Sequence, residues 1–279
     1  MTAEPVAVDP ATTTSRFADE LAFVLELADR AGAVLMDRYE RLEQIDYKSA
    51  KDVVTEADHL SEALIIGAIQ ARYPTDAILA EETGEIRAIA GEAPTSGRGR
   101  VWITDPLDGT INYANGLPVF CVAIGLVVDG VPSVGVIRDP TRNETYAATA
   151  DGPATLNGRP VHASAKEKLS DYVISMSLNG RTATTRARNV RKAIRISRNM
   201  GSAALALAYV ANGRFDAMVQ QGGLSQWDVA AAGLIAERGG ATVTSSTGEA
   251  WFDLSRPAKS IGVLAAPPVH HDGLLRLVR

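Results

Sequence analysis

In the stretch WITDPLDGTINYANG, which starts at Trp102, two acids three residues apart, Asp105 and Asp108, stand where an apolar run gives way to turn residues. A turn accounts for Pro106 and for the Asp108-Gly109 pair. It has no need of a second acid upstream, or of Thr110 behind the glycine. Acids are placed the same way elsewhere: Asp58 in DVVTEAD, Glu81 and Glu82 in ILAEET, and Asp228 in QWDVAAAG. Singly each reads as a cap or turn residue, Asp228 as a helix N-cap. Together, acids at strand ends converge on a cleft, where they repel one another and raise their own pKa values unless a cation sits among them. The four histidines are scattered at positions 59, 162, 270 and 271, away from these acids. Oxygen-only donors suit Mg²⁺ or Mn²⁺ rather than Zn²⁺, and D-x-x-D-G is not the alternating spacing of an EF-hand loop. Asp105 and Asp108 can share two ions, one acid bridging both and the other binding one. Ions about 3.5–4 Å apart activate water and neutralise a leaving oxygen at phosphate. Gly109 and Thr110 then offer amides to phosphate oxygens at a helix start.

The elements that must position these acids follow from periodicity. Phe17, Leu21, Val24, Ala28, Ala31 and Leu35 recur at helical spacing and predict an amphipathic helix from Ser15 to about Arg41. A second helix is expected from about Glu56 to Arg72, with Pro74 behind it. DAILAEE and VWITDP read as short strands running into acids. Val119–Val128 and Pro132–Asp139 read as a hairpin joined by Asp-Gly. Further on, a strand at Tyr172–Ser177 precedes a basic stretch, and an Ala-rich helix from about Ser202 to Asn212 ends at Gly213. A strand at Asp216–Gln220, a helix near Asp228–Arg238, strands at Ala241–Thr244 and Ile261–Ala265, and a terminal helix complete the chain. Hairpins in the first half and alternation in the second predict an α+β N-terminal part over 15–160 with most of the acids. An α/β C-terminal part over 161–279 completes the site, behind a disordered tail at 1–14.

Composition narrows the function. The 279 residues are 46% hydrophobic and 22% charged, ordinary for a globular protein. A net charge of −5 argues against nucleic acid or an anionic membrane as partner. No apolar segment reaches the roughly 20 residues of a membrane span, and the N-terminus lacks a signal-peptide pattern, so the cytoplasm is expected. The single Cys121 lies in the apolar run VFCVAIGLVV and reads as a small buried hydrophobe. The basic stretch Arg181 to Arg198 reads as a solvated helix face, the alternative being a patch for a polyanion or a phosphate-rich substrate.

Haloacid-dehalogenase-like phosphatases carry D-x-D-G-T with the first Asp as nucleophile. Here the spacing is D-x-x-D-G-T, one residue longer and far from the N-terminus, which argues against a phospho-aspartate route. DPLDGTINY and WDVAAAGLIAERGG instead resemble the two signatures of the inositol monophosphatase family. KSAKDVVTEAD, ILAEET and GSAALALAYVANGRFD fall in that family's order, and the resemblance runs from Ser15 onward.

The resemblance implies a layered α-β-α-β-α sandwich, of the inositol monophosphatase and fructose-1,6-bisphosphatase type, commonly dimeric and often lithium-sensitive. It implies a Mg²⁺-dependent phosphomonoesterase with two or three ions per site, acting on a small polyol phosphate such as inositol-1-phosphate through metal-activated water. Glu81, Asp105 and the Leu107 carbonyl would bind one ion, Asp105, Asp108 and Asp228 another, and a weaker third would sit near Glu81. Asp58 would orient Thr110, and that pair acts catalytically with Glu81's ion. Substrate contacts on this pattern come from Leu107, Asp108, Gly109, Thr110, Gly201, Ser202, Ala203, Gln221 and Asp228, with Gly109 and Thr110 on the phosphate and Gly201 to Ala203 near the alcohol.

There are departures from the family pattern. Ala80 replaces a usual glycine, the segment before Gly201 is short, and Gln221 stands where inositol-preferring members have a Glu that reads ring hydroxyls. On that basis Gln221 should weaken the grip on inositol. Histidinol phosphate, fructose-1,6-bisphosphate or a 3′-phosphoadenosine nucleotide are the alternative substrates, and a non-catalytic regulatory protein on this fold is the alternative class.

Overall fold

A computed structural model describes residues 15–41, 45–49, 52–86, 98–181 and 183–279; the tail at 1–14 lies outside them. The first element, α1 (Ala18–Arg38), buries Val24, Leu27, Ala28, Ala31 and Leu35, the stripe its periodicity requires. It starts three residues later than expected, with Ser15 in the turn ahead of it: the Ser15 hydroxyl accepts the Phe17 N–H at 3.0 Å and donates to Asp151 at 2.6 Å. An antiparallel ribbon, β1 (Ile45–Ser49) and β2 (Asp52–Thr55), leads into α2 (Glu56–Arg72).

Then come β3 (Ala77–Ala80), β4 (Gly84–Ile86), β5 (Arg100–Asp108), the one-turn α3 (Thr110–Ala114), β6 (Cys121–Val128) and β7 (Val131–Asp139). The β6–β7 turn has Asp129 and Gly130 both at positive φ, 48° and 80°, as a twist-matched hairpin turn requires. β8 (Glu144–Thr149), β9 (Thr155–Leu156) and β10 (Arg159–Pro160) complete an eight-stranded sheet in the order β10-β9-β8-β7-β6-β5-β3-β4. In that sheet β3 runs parallel to β5 and the other pairs are antiparallel.

The chain enters a second sheet at β11 (Val173–Ser177), followed by α4 (Ala183–Ala193), β12 (Ile196–Arg198), α5 (Ala203–Ala211), β13 (Ala217–Leu224), α6 (Gln226–Arg238), β14 (Thr242–Ser245), β15 (Ile261–Ala266) and α7 (Pro268–Val278). Its order is β12-β11-β13-β15-β14. The short strands β4, β9, β10 and β12 escape the periodicity because two or three residues are too few to show an alternation.

Core contacts sort the elements into five layers. Alternate residues of β6 divide between two cores: Val122, Ile124 and Leu126 pack with α1 and α2, while Cys121 and Ala123 pack with α5 and α6. The second sheet divides likewise. Met218 and Leu224 of β13 face α5 and α6, whereas Ala217 and Val219 join Val190 of α4 and Leu274 of α7. The order is therefore α1/α2, large sheet, α5/α6, small sheet, α4/α7, the layered sandwich expected. Among the described residues no helix is long and apolar enough to cross a membrane.

The middle layer can approach the large sheet because the facing residues are small. Ala230 and Ala231 of α6 lie over Gly125 and Ala231 over Gly135, where a Cβ would stand 2.6 Å from the Ala231 carbonyl oxygen and 2.9 Å from its Cα. Backbone cannot yield as a flexible side chain can, so Gly135→Ala should destabilise by roughly 1–3 kcal/mol. Urea unfolding would check this; an unchanged midpoint would mean that α6 is free to lift from the sheet.

Candidate active site

The acids of D-x-x-D share a face for a definite reason. Residues three apart on a regular strand point to opposite sides of a sheet. Here Asp105 pairs with Ala123 and Asp108 with Cys121, so three steps along β5 match two along β6. The extra residue is a β-bulge, at Pro106-Leu107, where the proline has no N–H to lose from the ladder. Parallel β3 ends beside β5, and its last residue is followed by Glu81, whose N–H donates to the Thr104 carbonyl at 3.2 Å.

Asp228 arrives from the middle layer. α6 begins two residues ahead of it, so Ser225 is the N-cap, and Asp228 takes the third helical position instead of the cap position. There its Oδ2 accepts the Ser225 N–H at 2.6 Å, the reciprocal bond of a capping box. Asp105, Asp108 and Asp228 each offer an oxygen within 4.8 Å of the others, and Glu81 hydrogen-bonds Asp105.

Burial, then Glu81, Asp108 and Asp228 in turn, push the Asp105 carboxyl well above the usual range. Burial and the Asp108 charge do the same to Asp228, against the Ser225 N–H and the Lys259 charge. Asp108 is raised by burial but relieved by donors at the start of α5: the Ser202 hydroxyl at 2.6 Å and the Ala204 N–H at 2.8 Å, both on Oδ2. The Ala203 and Leu205 N–H groups also bond this carboxylate. Crowded, dry and all-oxygen, this donor set fits a hard divalent cation such as Mg²⁺ or Mn²⁺.

Asp58, buried at the third position of α2, accepts the Thr55 N–H and hydroxyl on Oδ2, each at 2.7 Å, and the Thr110 hydroxyl on Oδ1 at 3.2 Å. Burial raises its carboxyl to about 6 despite the Thr55 bonds. The Leu107 carbonyl also lies 3.0 Å from the Thr110 hydroxyl, and the Leu107 N–H donates to Asp105 at 2.9 Å. Gly109 between them is left-handed at φ +101°, and a Cβ there would stand 2.9 Å from the Val119 carbonyl oxygen.

Two residues that the sequence did not single out hold this arrangement from α2. Ser61 donates to the Pro106 carbonyl at 3.1 Å, inside the bulge. Glu62 accepts the Glu82 and Thr83 N–H groups at 2.9 and 2.8 Å, ordering the turn that carries Glu81. Asp58, Ser61 and Glu62 are spaced i, i+3 and i+4, and all are buried. Polar residues on the buried stripe of an amphipathic helix were the available signal.

Beside the acids lies a cavity of about 260 Å³, walled by Ser175, Ser177, Asn199 and Gln220 together with Gly201 and Ala203. Gln221 is not brought there. Along β13 the pleat puts Met218 and Gln220 on the α5/α6 side and Val219 and Gln221 on the α4/α7 side, where Gln221 Nε2 donates to the Val278 carbonyl at 2.7 Å. Gln220 therefore takes the place by the cavity that Gln221 was expected to fill. Ser202 also lines the cavity, with its hydroxyl donating to Asp108. Cys121 is fully buried, its sulfur 3.8 Å from Asp108 Oδ2. The basic stretch forms α4, with Val190 buried and Arg188, Arg191 and Lys192 exposed to solvent.

The family model described as "Inositol monophosphatase family" matches residues 18–279. The chain is 33% identical over 246 residues to the inositol monophosphatase of Mesembryanthemum crystallinum, covering 85% of this chain and 88% of that protein. It is 36% identical over 254 residues to Nus factor SuhB of Pseudomonas aeruginosa, covering 83% and 87% respectively. Among solved structures, the extragenic suppressor protein SuhB of Bartonella henselae superposes with a TM-score of 0.85 at 31% identity, covering 94% of this chain and 98% of that one. The IMPase of Thermotoga maritima superposes with a TM-score of 0.81 at 31% identity, covering 93% and 96%.

Because the folded pKa values of Asp105 and Asp58 are raised, the stability linked to these groups is fully present below the ordinary carboxylate pKa of about 4. It is lost as pH rises through the folded values, near 6 for Asp58. In chelator the thermal midpoint of the wild type should therefore fall between pH 5 and pH 8. Asp105→Asn removes one repelling charge and should raise the midpoint at pH 8, while added Mg²⁺ should stabilise the wild type more than the variant. A pH-independent wild-type midpoint in chelator would contradict this account of the cluster.

Proposed function

The chain belongs to the inositol monophosphatase family and is a phosphoric monoester hydrolase, and on that premise we propose its substrate class and the division of labour in its site. The substrate is a small neutral polyol carrying one phosphate, such as inositol-1-phosphate. The observation that carries this reading is the junction of the acid cluster with a cavity that Asp108 and Asp228 line at one side and whose other polar side chains, Ser175, Ser177, Asn199, Ser202 and Gln220, are uncharged. The part of the chain up to residue 160 supplies Glu81, Asp105, the Leu107 carbonyl and Asp108, and the part beyond supplies Asp228. Bound among these, two or three Mg²⁺ ions, or Mn²⁺ in their place, supply the Lewis acidity that activates water and neutralises the leaving oxygen.

The protein's own groups orient and deprotonate. The Thr110 hydroxyl donates to Asp58 Oδ1 at 3.2 Å, which leaves its oxygen free to accept a hydrogen bond from the attacking water. As that water loses its proton, the pair can relay it from Thr110 Oγ1 to Asp58. A carboxyl near 6 suits that duty at neutral pH. Gly109, left-handed and packed against Val119 without a Cβ, makes the turn whose 109–110 amides we assign to the phosphate oxygens.

The cavity then selects the alcohol. Ser175, Ser177, Asn199 and Gln220 can donate to and accept from hydroxyls, and none of the described lining side chains is Lys, Arg or His. A second phosphate would be desolvated there without a counter-charge, which disfavours fructose-1,6-bisphosphate and 3′-phosphoadenosine nucleotides. Histidinol phosphate would bring an ammonium to a wall whose acids belong to the cluster. The likeness to a protein named as a Nus factor raises a regulatory reading, against which stands the complete set of acids. A cytoplasmic homodimer and lithium sensitivity accompany the family reading, and sedimentation and inhibition by Li⁺ test them.

With Mg²⁺, phosphate release should be at least about tenfold more efficient, in kcat/KM, for inositol-1-phosphate than for either bisphosphorylated compound, and chelation should abolish it. Gln220→Ala should lower kcat/KM for the polyol ester about tenfold, the equivalent of ~1.4 kcal/mol of lost hydrogen bonding, whereas Gln221→Ala should leave it unchanged. A preference for a bisphosphate, or the reverse response of the two glutamines, would overturn the substrate assignment. Thr110→Ala should lower kcat by about 10²–10⁴-fold, the usual worth of general-base assistance, with a smaller change in KM. An unchanged kcat per folded molecule would reduce Thr110 to a helix-start residue.

A further inference from the structure

The phosphate turn at Gly109-Thr110 and the turn at Met200–Ala203 lie far apart in the chain, with Asn112 and Met200 separated by 88 positions, yet the reaction proposed above needs them at a fixed separation. From the contacts between them we infer that the Asn112 carboxamide sets that separation and is a positioning residue for the hydrolysis; the inference rests on the phosphatase reading of the site. Asn112 Nδ2 has two hydrogens, and both go to backbone carbonyls: Val119 at 2.7 Å and Met200 at 2.8 Å. The Val119 carbonyl is the one packed against Gly109, 2.9 Å from where a Cβ would stand. The Met200 carbonyl opens the turn that delivers the Ser202 hydroxyl and the Ala204 N–H to Asp108.

On its far side the carboxamide occupies the space of an absent side chain. Gly201 is left-handed at φ +74°, and a Cβ there would lie 2.9 Å from Asn112 Nδ2 and 3.0 Å from Oδ1. One amide therefore ties two turns and fills the gap between them.

α3 needs such a tie. At five residues it is far too short to be stable by itself, and Ile111 beside Asn112 is 52% exposed. Tyr113 pins the helix to α1, its hydroxyl donating to the Leu35 carbonyl at 2.6 Å. That contact fixes α3 against the first layer but says nothing about the 200–203 turn. Among the described residues the other polar tie between the two turns runs through the Asp108 carboxylate, which belongs to the acid cluster. Asn112 relieves Asp108 of holding the alcohol side in place. Asp at this position keeps the shape, loses both donors, and sets a charge against two carbonyls.

The test compares wild type, Asn112→Ala, Asn112→Asp and Gly201→Ala, with Mg²⁺, on inositol-1-phosphate, and measures inhibition by inorganic phosphate alongside. Phosphate occupies the 109–110 turn alone, whereas the ester needs both turns. Each variant should raise KM for the ester at least fivefold and lower kcat, while the inhibition constant of phosphate stays within about twofold of wild type. A purely structural role would instead reduce the active fraction with KM unchanged. That result would overturn the inference, as would phosphate affinity falling in parallel with that of the ester. If Asn112→Ala folds poorly, Gly201→Ala keeps the amide and intrudes on it, so the same split should appear. In Asn112→Ala/Gly201→Ala the intrusion is relieved, and the loss in kcat/KM should be at least threefold smaller than the product of the single losses; multiplicative losses would count against the tie. A wild type that hydrolyses none of the phosphomonoesters would remove the reading beneath the inference, an outcome distinct from active enzyme with indifferent variants.

Discussion

Mutual repulsion among buried carboxylates is the constraint around which this molecule is arranged. Two unit charges 4.8 Å apart, the span of the Asp105, Asp108 and Asp228 oxygens, repel by roughly 3–4 kcal/mol even at an effective dielectric near 20. The protein's own remedies are smaller. Asp58, Asp108 and Asp228 each sit at the N-terminus of a helix, α2, α5 and α6 respectively, and accept hydrogen bonds from its first residues. A helix start contributes about 0.3–1 kcal/mol to an adjacent anion, so these bonds orient the acids without neutralising them. The deficit is what a divalent cation among these oxygens would offset.

Bringing the acids together demands the layered fold. Strands β3 and β5, running parallel, end side by side, and that places Glu81 next to Asp105. Helices α5 and α6, sandwiched between two sheets, aim their N-termini at the same point. They can do so because α6 meets the large sheet through alanines laid over glycines, at backbone contact distance. Helix α2 closes the arrangement from the other face of the sheet, with Asp58, Ser61 and Glu62 each reaching a different turn. A single buried helical face thus registers the Thr110 hydroxyl, the β5 bulge and the Glu81 turn against one another.

Much of this was legible in the residues, and the exceptions have a common cause. Long helices announced themselves by apolar stripes, the Asp-Gly hairpin by its turn, and the acids by their positions at strand ends. Ser61, Glu62 and Asn112 act through backbone carbonyls and amides that belong to other elements, and no local pattern encodes the partner of such a bond. Asp228 was recognised as an acid at a helix start, but its position in the capping box depended on seeing Ser225 as the cap. Gln221 stands where the family resemblance expects a Glu, and such a correspondence along a strand determines a face only when the strand is regular.

β13 is not regular, and neither is β5, and the two irregularities have opposite standing for function. At the cluster end, the bulge between Asp105 and Asp108 is what makes D-x-x-D a pair on one face; on an unbulged strand, residues three apart would point to opposite faces. At the alcohol end, β13 departs from the ladder between Gln220 and Leu224, where four steps oppose two on β15 and Gly222 and Gly223 both take positive φ. A one-residue change in that register would exchange Gln220 for Gln221 at the cavity wall and leave every acid where it is. The acid cluster, tied by helix starts and by α2, is thereby separated from the strand end that lines the cavity. On the substrate reading proposed above, the choice of alcohol would shift through the register of a single glycine-rich strand end while the acids keep their places.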